Sequence, residues 1–425
     1  MSSFWRIFSL ELTAFVRSKS LAILLAVSAA WMFAAPAVFR GDGTSEGARQ
    51  LVVHYSLGGV AALLAVSLLA TATGSIARER AEKRLQLTLV RPVHYMTVAL
   101  GKIAALSVAG ALILGAAAIV EAARERLDRP CSHLLSPVMQ SPHDEALEMY
   151  EAYMKDPRTP EPVKKARKSV VVRLLAQRAF DRYETVQTNA VHAWRFALPC
   201  EVGDVGVVKA RMRFTNSYGM RQDVAGLLDF AADDAVWSGS VSNTTQAVVD
   251  IPLCASGRDD GAESGVLSFR NEGQSAVMLR PRRDVNLLIP ADGFGWNLLR
   301  AYVELVAILT LLVSFGVFLG SALGRPVALF TATVALAVAE MSPSVIEQYP
   351  DELEKDPVDA IGLYITRAAV EISHPVSSLE PLARLAEDTC VETREAVRAV
   401  LSDMLLAPLL FAFLSALVIP RKTSD

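Results

Sequence analysis

The sequence lacks the short motifs that mark most catalytic sites. It has no phosphate-binding loop, because its one Gly-Lys pair, Gly101-Lys102, has neither the earlier glycine nor the following Ser or Thr that such a loop needs. It also lacks an HExxH motif and a CxxC motif. One GxSxG string, at 43–47, lies in a short polar loop and not between a strand and a helix, so we interpret it as a chance match. We therefore predict no catalytic, cofactor-binding or metal site and no enzyme activity.

Charge is scarce as well, and long stretches of the chain have almost none. Charged residues make up 20% of the sequence and hydrophobic residues 52%, and the apolar residues are concentrated in blocks. Because about 20 apolar residues cross a hydrocarbon core of about 30 Å, these blocks predict six transmembrane helices. The predicted spans are 21–39, 51–77, 96–120, 296–324, 326–346 and 404–420.

The distribution of Lys and Arg predicts which ends of the spans lie inside. Arg325 and the segments 1–20, 78–102 and 421–425 together contain 12 basic and 4 acidic residues. By contrast, 340–403 contains 5 basic and 14 acidic residues. We therefore predict that both termini are cytoplasmic and that the acidic region lies outside.

A polar insertion of domain size, 122–295, separates the third and fourth predicted spans. Its first part, 122–190, has helical apolar spacing, and its second part, 191–290, has the alternation of strands. In VVKARMRF, 207–214, apolar and basic side chains alternate, and GVLSFRNEGQSAVMLR is typical of a hairpin with NEGQ as its turn. The predicted fold is an α-helical polytopic membrane protein with six transmembrane helices and an inserted α+β extracytoplasmic domain that contains a β-sandwich.

All four cysteines, Cys131, Cys200, Cys254 and Cys390, fall in segments that are predicted to lie outside. An oxidising compartment permits disulfides there, and four cysteines allow three pairings. We favour Cys200–Cys254, which would lie within the β-rich part, although free buried thiols are equally compatible with the sequence.

The second outer region, 347–403, is acidic and has a helical pattern. It either forms a packed cap over the spans or lies along the membrane surface, and the sequence leaves both alternatives open.

Charged residues within spans are candidates for function. Glu304, in the fourth span, either pairs with Arg300 four residues earlier on the same helix or serves in a substrate pathway. Gly316, Gly320 and Gly324 recur every four residues in that span, which favours close helix packing.

The segment 76–102 breaks the hydrophobicity of its neighbours with six basic and two acidic residues. An anchor on anionic headgroups would account for the charge, and Lys102 would reach the headgroups by snorkelling. A short Leu-rich helix that ends before Pro92 would in addition form a compact docking element.

The order of these features resembles the first cytoplasmic loop of type 2 ABC-transporter permeases, the membrane subunits of ATP-binding cassette exporters. The shared features are Arg78-Glu79-Arg80, the LQLTLV run, Pro92 and Gly101-Lys102. The N-terminal SSFWRIFSLELTAFVRSKS is similar to the amphipathic entry helix of that family. The resemblance covers 1–121 and 297–425 but not 122–295, where most members have a short connection.

This resemblance implies a permease subunit of an exporter in a bacterial cytoplasmic (inner) membrane. It implies a separate ATP-binding cassette ATPase subunit as partner and a second permease copy, identical or related, among membrane lipids and without nucleic acid. The predicted domains are 1–121, 122–295, 296–346, 347–403 and 404–425. The implied ATPase-coupling residues are Arg78, Glu79, Arg80, Arg84, Leu85, Leu89 and Pro92.

A membrane-anchored extracytoplasmic binding or sensor protein with no ATPase partner is the alternative. It would explain the polar insertion and the lack of catalytic motifs. It would need neither six spans nor a loop of the kind found at 76–102.

Overall fold

The computed structural model describes 3–39, 45–82, 94–125, 130–156, 168–180, 182–198, 207–216, 224–232, 235–243, 246–252, 264–348 and 380–423. The chain divides into two compact units. The membrane unit consists of Met1–Cys131 and most of the chain from Asp292 on, and the inserted unit consists of Ser132–Ala291.

Helices dominate the membrane unit, and a short π-helical segment, Val400–Leu406, joins its last two helices. The helices of the chain are α1 (Ser3–Val16), α2 (Lys19–Val38), α3 (Ser45–Ala81), α4 (Tyr95–Arg124), α5 (Pro142–Lys155), α6 (Lys168–Phe180), α7 (Pro281–Asp284), α8 (Phe294–Ala322), α9 (Arg325–Gln348), α10 (Glu380–Ala386), α11 (Thr393–Ala399) and α12 (Ala407–Thr423).

Among the described residues, five helical stretches are long and apolar enough to cross a membrane, and they coincide with five of the predicted spans. The predicted span 326–346 lies in α9, whose described apolar part, Arg325–Ala337, is shorter than a span requires. The fifth predicted span, 326–346, therefore stays a prediction. The five candidate spans are Lys19–Val38, Arg49–Ala81, Tyr95–Arg124, Phe294–Ala322 and Thr393–Ile419.

Helix α8 is the most buried of these spans and packs against α3, α4, α9 and α12. Two of its glycines allow α3 to approach closely. A Cβ added at Gly316 would lie 2.9 Å from the Cβ of Ala72, and one added at Gly320 would lie 2.4 Å from the carbonyl oxygen of Thr73. The packing interpretation is confirmed for these two glycines. It is wrong for Gly324, where an added Cβ would have no atom within 4 Å.

A cap segment, 380–391, packs into the hydrophobic core of the membrane unit. Leu382 and Leu385 of α10 are fully buried in that core. The side chain of Asn297 in α8 donates to the carbonyl oxygen of Thr389 at 2.9 Å and accepts from the backbone N–H of Val391 at 2.7 Å. The described part of the second outer region is therefore packed, whereas the segment 356–372, on which the choice between cap and surface helix depends, lies outside the described residues.

A disulfide joins Cys131, after α4, to Cys390 of the cap segment, and the two Cα atoms are 5.3 Å apart. The favoured pairing Cys200–Cys254 concerns two residues outside the described part of the chain. It stays a prediction, and the observed bond leaves these two cysteines as each other's remaining partner.

The inserted unit contains three sheets with the strand orders β1-β11-β4-β8, β2-β10-β5 and β3-β9-β6-β7. Side chains from all three sheets share one hydrophobic core. That arrangement is compatible with a β-sandwich, which stays a prediction. The strands are β1 (Pro130–Leu135), β2 (Glu184–Val186), β3 (Val191–Ala197), β4 (Val207–Arg213), β5 (Thr215–Asn216), β6 (Val224–Ala232), β7 (Ala235–Asn243), β8 (Gln246–Pro252), β9 (Ser264–Asn271), β10 (Val277–Leu279) and β11 (Val285–Gly293).

The alternation in VVKARMRF predicts β4 correctly, because Val208, Ala210, Met212 and Phe214 are all buried in this core. The predicted hairpin is wrong. Its two halves form β9 and β10, but β9 pairs with β3 and β6 whereas β10 pairs with β2 and β5. The buried side chain of Asn271 redirects the chain, since it donates to two backbone carbonyl oxygens and accepts from the backbone N–H of a third residue.

Candidate coupling site at the root of the 78–102 loop

A buried ion-paired trio joins three helices where the 78–102 loop begins and ends. The ammonium group of Lys102, in α4, lies 2.9 Å from a carboxylate oxygen of Glu11 in α1. It lies 2.8 Å from a carboxylate oxygen of Glu79 in the last turns of α3. The Lys102 side chain is 2% exposed. The trio therefore fixes the entry helix α1 to both helices that flank the loop.

Local packing explains how Glu11 reaches Lys102. A Cβ added at Gly101 would lie 2.8 Å from the side chain of Ile7, so the absence of a side chain lets α1 lie directly on α4. Glu11 follows Ile7 by about one helical turn and so lies on the same face of α1. Because α1 covers this end of α4, Lys102 is removed from solvent and needs carboxylate partners.

The trio carries two negative charges and one positive charge. Each contact is a charge-assisted hydrogen bond, which is shorter and stronger than a neutral one. Glu79 keeps 28% of its side chain exposed, so water can hydrate the surplus negative charge. The removal of the ammonium group alone would leave two carboxylates facing each other in a mostly enclosed site, which is the costly way to break a buried ion pair.

Arg80 connects the same turn of α3 to the end of α8. Its guanidinium group donates to the carbonyl oxygens of Ser321 at 2.7 Å and Leu323 at 2.8 Å. The last carbonyl groups of a helix have no partner within the helix, and they carry the negative end of its dipole. Arg80 therefore gives the last carbonyl groups of α8 hydrogen-bond donors, and its positive charge offsets the negative end of the helix dipole.

The start of α9 also reaches α3. A Cβ added at Gly74 would lie 3.3 Å from the guanidinium group of Arg325, the first residue of α9. The last turns of α3 thus contact α4, α8, α9 and, through Lys102, α1.

Comparison of the chain with protein-family models, with curated proteins and with solved structures finds no match.

The structure places the predicted coupling residues in two different situations. Glu79 and Arg80 make the contacts within the chain described above. Arg78 is 69% exposed and pairs with Glu82, one helical turn later, at 2.8 Å. The other predicted coupling residues lie outside the described part of the chain, namely Arg84, Leu85, Leu89 and Pro92.

The expectation that Lys102 snorkels to the headgroups is wrong, because its ammonium group is buried between Glu11 and Glu79. Glu11 is absent from the predicted site. Two signals could have found it: a lysine within an apolar span requires an opposite charge, and Glu11 is the one acidic residue of the N-terminal 20.

Glu304, the candidate pathway residue, is buried in α8. Arg300 pairs with Asp292 at 2.7 Å and donates to the carbonyl oxygen of Val391 at 3.3 Å. A pathway role of Glu304 stays a prediction. Among the described residues, no group of three or more His, Cys, Asp and Glu side chains is arranged to hold a metal ion.

Proposed function

We propose that this chain is the membrane-spanning permease subunit of an ABC transporter, an exporter driven by a separate ATPase subunit that docks on the 78–92 segment. One observation supports this proposal most directly. The root of the loop is bonded to the entry helix and to two further spans through Glu79 and Arg80. A protein that only anchors a binding domain has no need of such a joint.

The bonding pattern suggests how movement of the docked ATPase would spread. A force on the loop acts first on the last turn of α3, which carries Glu79 and Arg80. The Glu79–Lys102 contact passes it to α4, the Lys102–Glu11 contact passes it to α1, and the contacts of Arg80 pass it to α8. Buried ion pairs suit this role because a displaced charge must take its partner with it or lose the pair.

The proposal includes six spans with both termini in the cytoplasm of a bacterial inner membrane. Helix α9 would supply the fifth span, since it runs from Arg325 to Gln348. The Cys131–Cys390 bond supports an outer position for the residues that it joins, because disulfides form and persist in oxidising compartments. The β-sandwich interpretation of the inserted unit belongs to this proposal, as does a second permease copy.

The inserted unit suggests that the substrate, or another envelope protein, is handled at the outer face. A polymer, a lipid or a lipoprotein would fit this placement.

The test is purification of the full chain from its native membrane in mild detergent, followed by mass spectrometry of the proteins that co-purify. We expect a stoichiometric subunit with Walker A and Walker B motifs. The variant Arg78→Glu/Arg84→Glu should lose this subunit, because both changes reverse charge on the docking segment. The single variant Arg78→Glu should leave thermal unfolding unchanged, since Arg78 is exposed.

Arg80→Glu is the matched comparison, because it reverses charge in the same turn but also breaks the contacts to the end of α8. We expect it to lower the unfolding temperature as well as the recovery of the ATPase. If no ATPase subunit co-purifies under conditions that keep other membrane complexes intact, the proposal fails and an anchored binding or sensor protein becomes the better interpretation.

A further inference from the structure

The disulfide partners Cys131 and Cys390 are not neighbours in the order of cysteines along the chain. They are 259 residues apart, and Cys200 and Cys254 stand between them in the sequence. Both bonded cysteines are buried, Cys131 at 1% and Cys390 at 7% exposure. The bond is therefore enclosed by the folded membrane unit and cannot form in its final surroundings until the cap segment has packed.

During chain synthesis, Cys131 becomes available long before its final partner, Cys390, is made. At roughly 5–20 residues per second, Cys390 is made about 13–50 s after Cys131. Cys200 follows Cys131 by only 69 residues and is available long before. Disulfide formation takes seconds to hours, depending on the oxidant. An efficient oxidant can therefore act before Cys390 has been made. Cys131 therefore meets Cys200, and then Cys254, while its final partner does not yet exist.

Chain statistics favour the wrong partner even after synthesis is complete. The probability that two points of a flexible chain meet falls as about the 3/2 power of their separation. For separations of 69 and 259 residues, Cys131 encounters Cys200 about seven times as often as Cys390 in the unfolded chain.

We propose that folding of this chain requires a thiol–disulfide isomerase of the outer compartment, acting on Cys131. A thiol oxidase first takes two electrons and two protons from Cys131 and an early partner such as Cys200, and its own disulfide is reduced. The isomerase thiolate then attacks the sulfur of Cys131, which forms a mixed disulfide and releases Cys200 as a thiolate. The Cys390 thiolate attacks the same sulfur, which completes Cys131–Cys390 and regenerates the isomerase thiolate without net oxidation.

The folded structure explains why this exchange ends at Cys390. The cap segment is held by the two hydrogen bonds of Asn297 and by the ion pair of Arg49 with Asp388, two residues before Cys390. Once these contacts form, the bond is enclosed and further thiolates cannot reach it. Burial thus makes the last exchange effectively irreversible.

This inference rests on the outer position of the cysteines in the proposed function but not on an ATPase partner. The test compares host cells that have the isomerase with cells that lack it. After rapid acid quenching and alkylation of free thiols, peptide mass spectrometry identifies the partner of Cys131. Without the isomerase, we expect the Cys131–Cys390 fraction to fall severalfold, and bonds from Cys131 to Cys200 or Cys254 should take its place.

The variant Cys200→Ser/Cys254→Ser is the decisive control, because it removes both early partners and leaves Cys131 and Cys390 intact. We expect it to form Cys131–Cys390 to the same extent in both hosts. An isomerase whose second active-site cysteine is replaced by serine should also trap a mixed disulfide with Cys131 of the unaltered chain.

Three results would overturn the inference. Equal formation of Cys131–Cys390 in both hosts by the unaltered chain would show that no isomerase is needed. Equal dependence of the Cys200→Ser/Cys254→Ser variant would show that the isomerase acts in some way other than exchange. A free Cys131 thiol in both hosts would show that the outer position is wrong, while the co-purification of an ATPase would still decide the transporter proposal.

Discussion

Replacement of Lys102 by methionine should release the entry helix from the rest of the membrane unit. The substitution keeps the length and apolar stem of the side chain but removes the charge that holds Glu11 and Glu79. Removal of one partner from a buried ion pair typically costs about 3–5 kcal/mol. The two carboxylates remain partly exposed and recover some hydration, so we expect the low end of that range, about 3 kcal/mol.

Hydrogen exchange in lipid nanodiscs, read by mass spectrometry, measures this loss where it occurs. If α1 detaches by local opening, a loss of about 3 kcal/mol lowers the protection of its amides roughly 100-fold, because 1.4 kcal/mol is a factor of ten. Amides in the centre of α8 should keep their protection, since α8 is joined to this end of α3 through Arg80, which the substitution leaves unchanged. The expected signature is therefore confined to α1 and the adjoining ends of α3 and α4.

The triple variant Glu11→Gln/Lys102→Met/Glu79→Gln separates charge from packing. It removes all three charges, so no uncompensated carboxylate is left, and it should restore most of the protection of α1. Unchanged protection in Lys102→Met would refute the claim that the ion pairs hold α1. If the triple variant is as unprotected as Lys102→Met, the effect comes from lost packing and the electrostatic account is wrong.

Substitutions at three further contacts, two of them with a matched control, test the rest of the packing. Arg80→Gln should lower stability by about 1–3 kcal/mol, because it leaves the end of α8 without its charged donor; Arg80→Lys should lose less, and thermal unfolding of the purified chain compares the two. Gly320→Ala should cost about 1–3 kcal/mol in the same assay through overpacking against α3, whereas Gly324→Ala, which meets no neighbour, should be neutral. Asn297→Ala should leave two backbone groups of the cap segment unsatisfied at about 1–3 kcal/mol each, and limited proteolysis should then cut within 380–391 faster than in the unaltered chain.

The spans and strand β4 are predictable from sequence because burial is periodic or continuous along each of them. An uninterrupted apolar run needs no knowledge of the neighbouring helix to be assigned to a membrane. The alternation at 207–214 likewise assigns one face of a strand to the core before any partner strand is known. Both signals are local: the apolar runs coincide with five candidate spans, and the buried face of β4 is confirmed.

The trio and the pairing of β9 with other strands depend on contacts that are remote in sequence. Lys102 shows that an opposite charge is needed, but 91 residues separate it from Glu11, and only the approach of α1 over Gly101 brings the two together. The NEGQ segment has the composition of a turn, yet the amide of Asn271 donates to the carbonyl oxygen of Val186 in β2 as well as to that of Ser275 nearby, and β10 pairs with β2 in another sheet. Turn composition carries no information about such partners.

The bond between Cys131 and Cys390 closes a covalent ring that contains the whole inserted unit together with α8 and α9. A protease that cuts once anywhere between these two cysteines therefore breaks the chain but does not divide the molecule. Under non-reducing conditions the nicked protein should migrate as one species that contains all 425 residues, and two fragments should part only when a reductant is added.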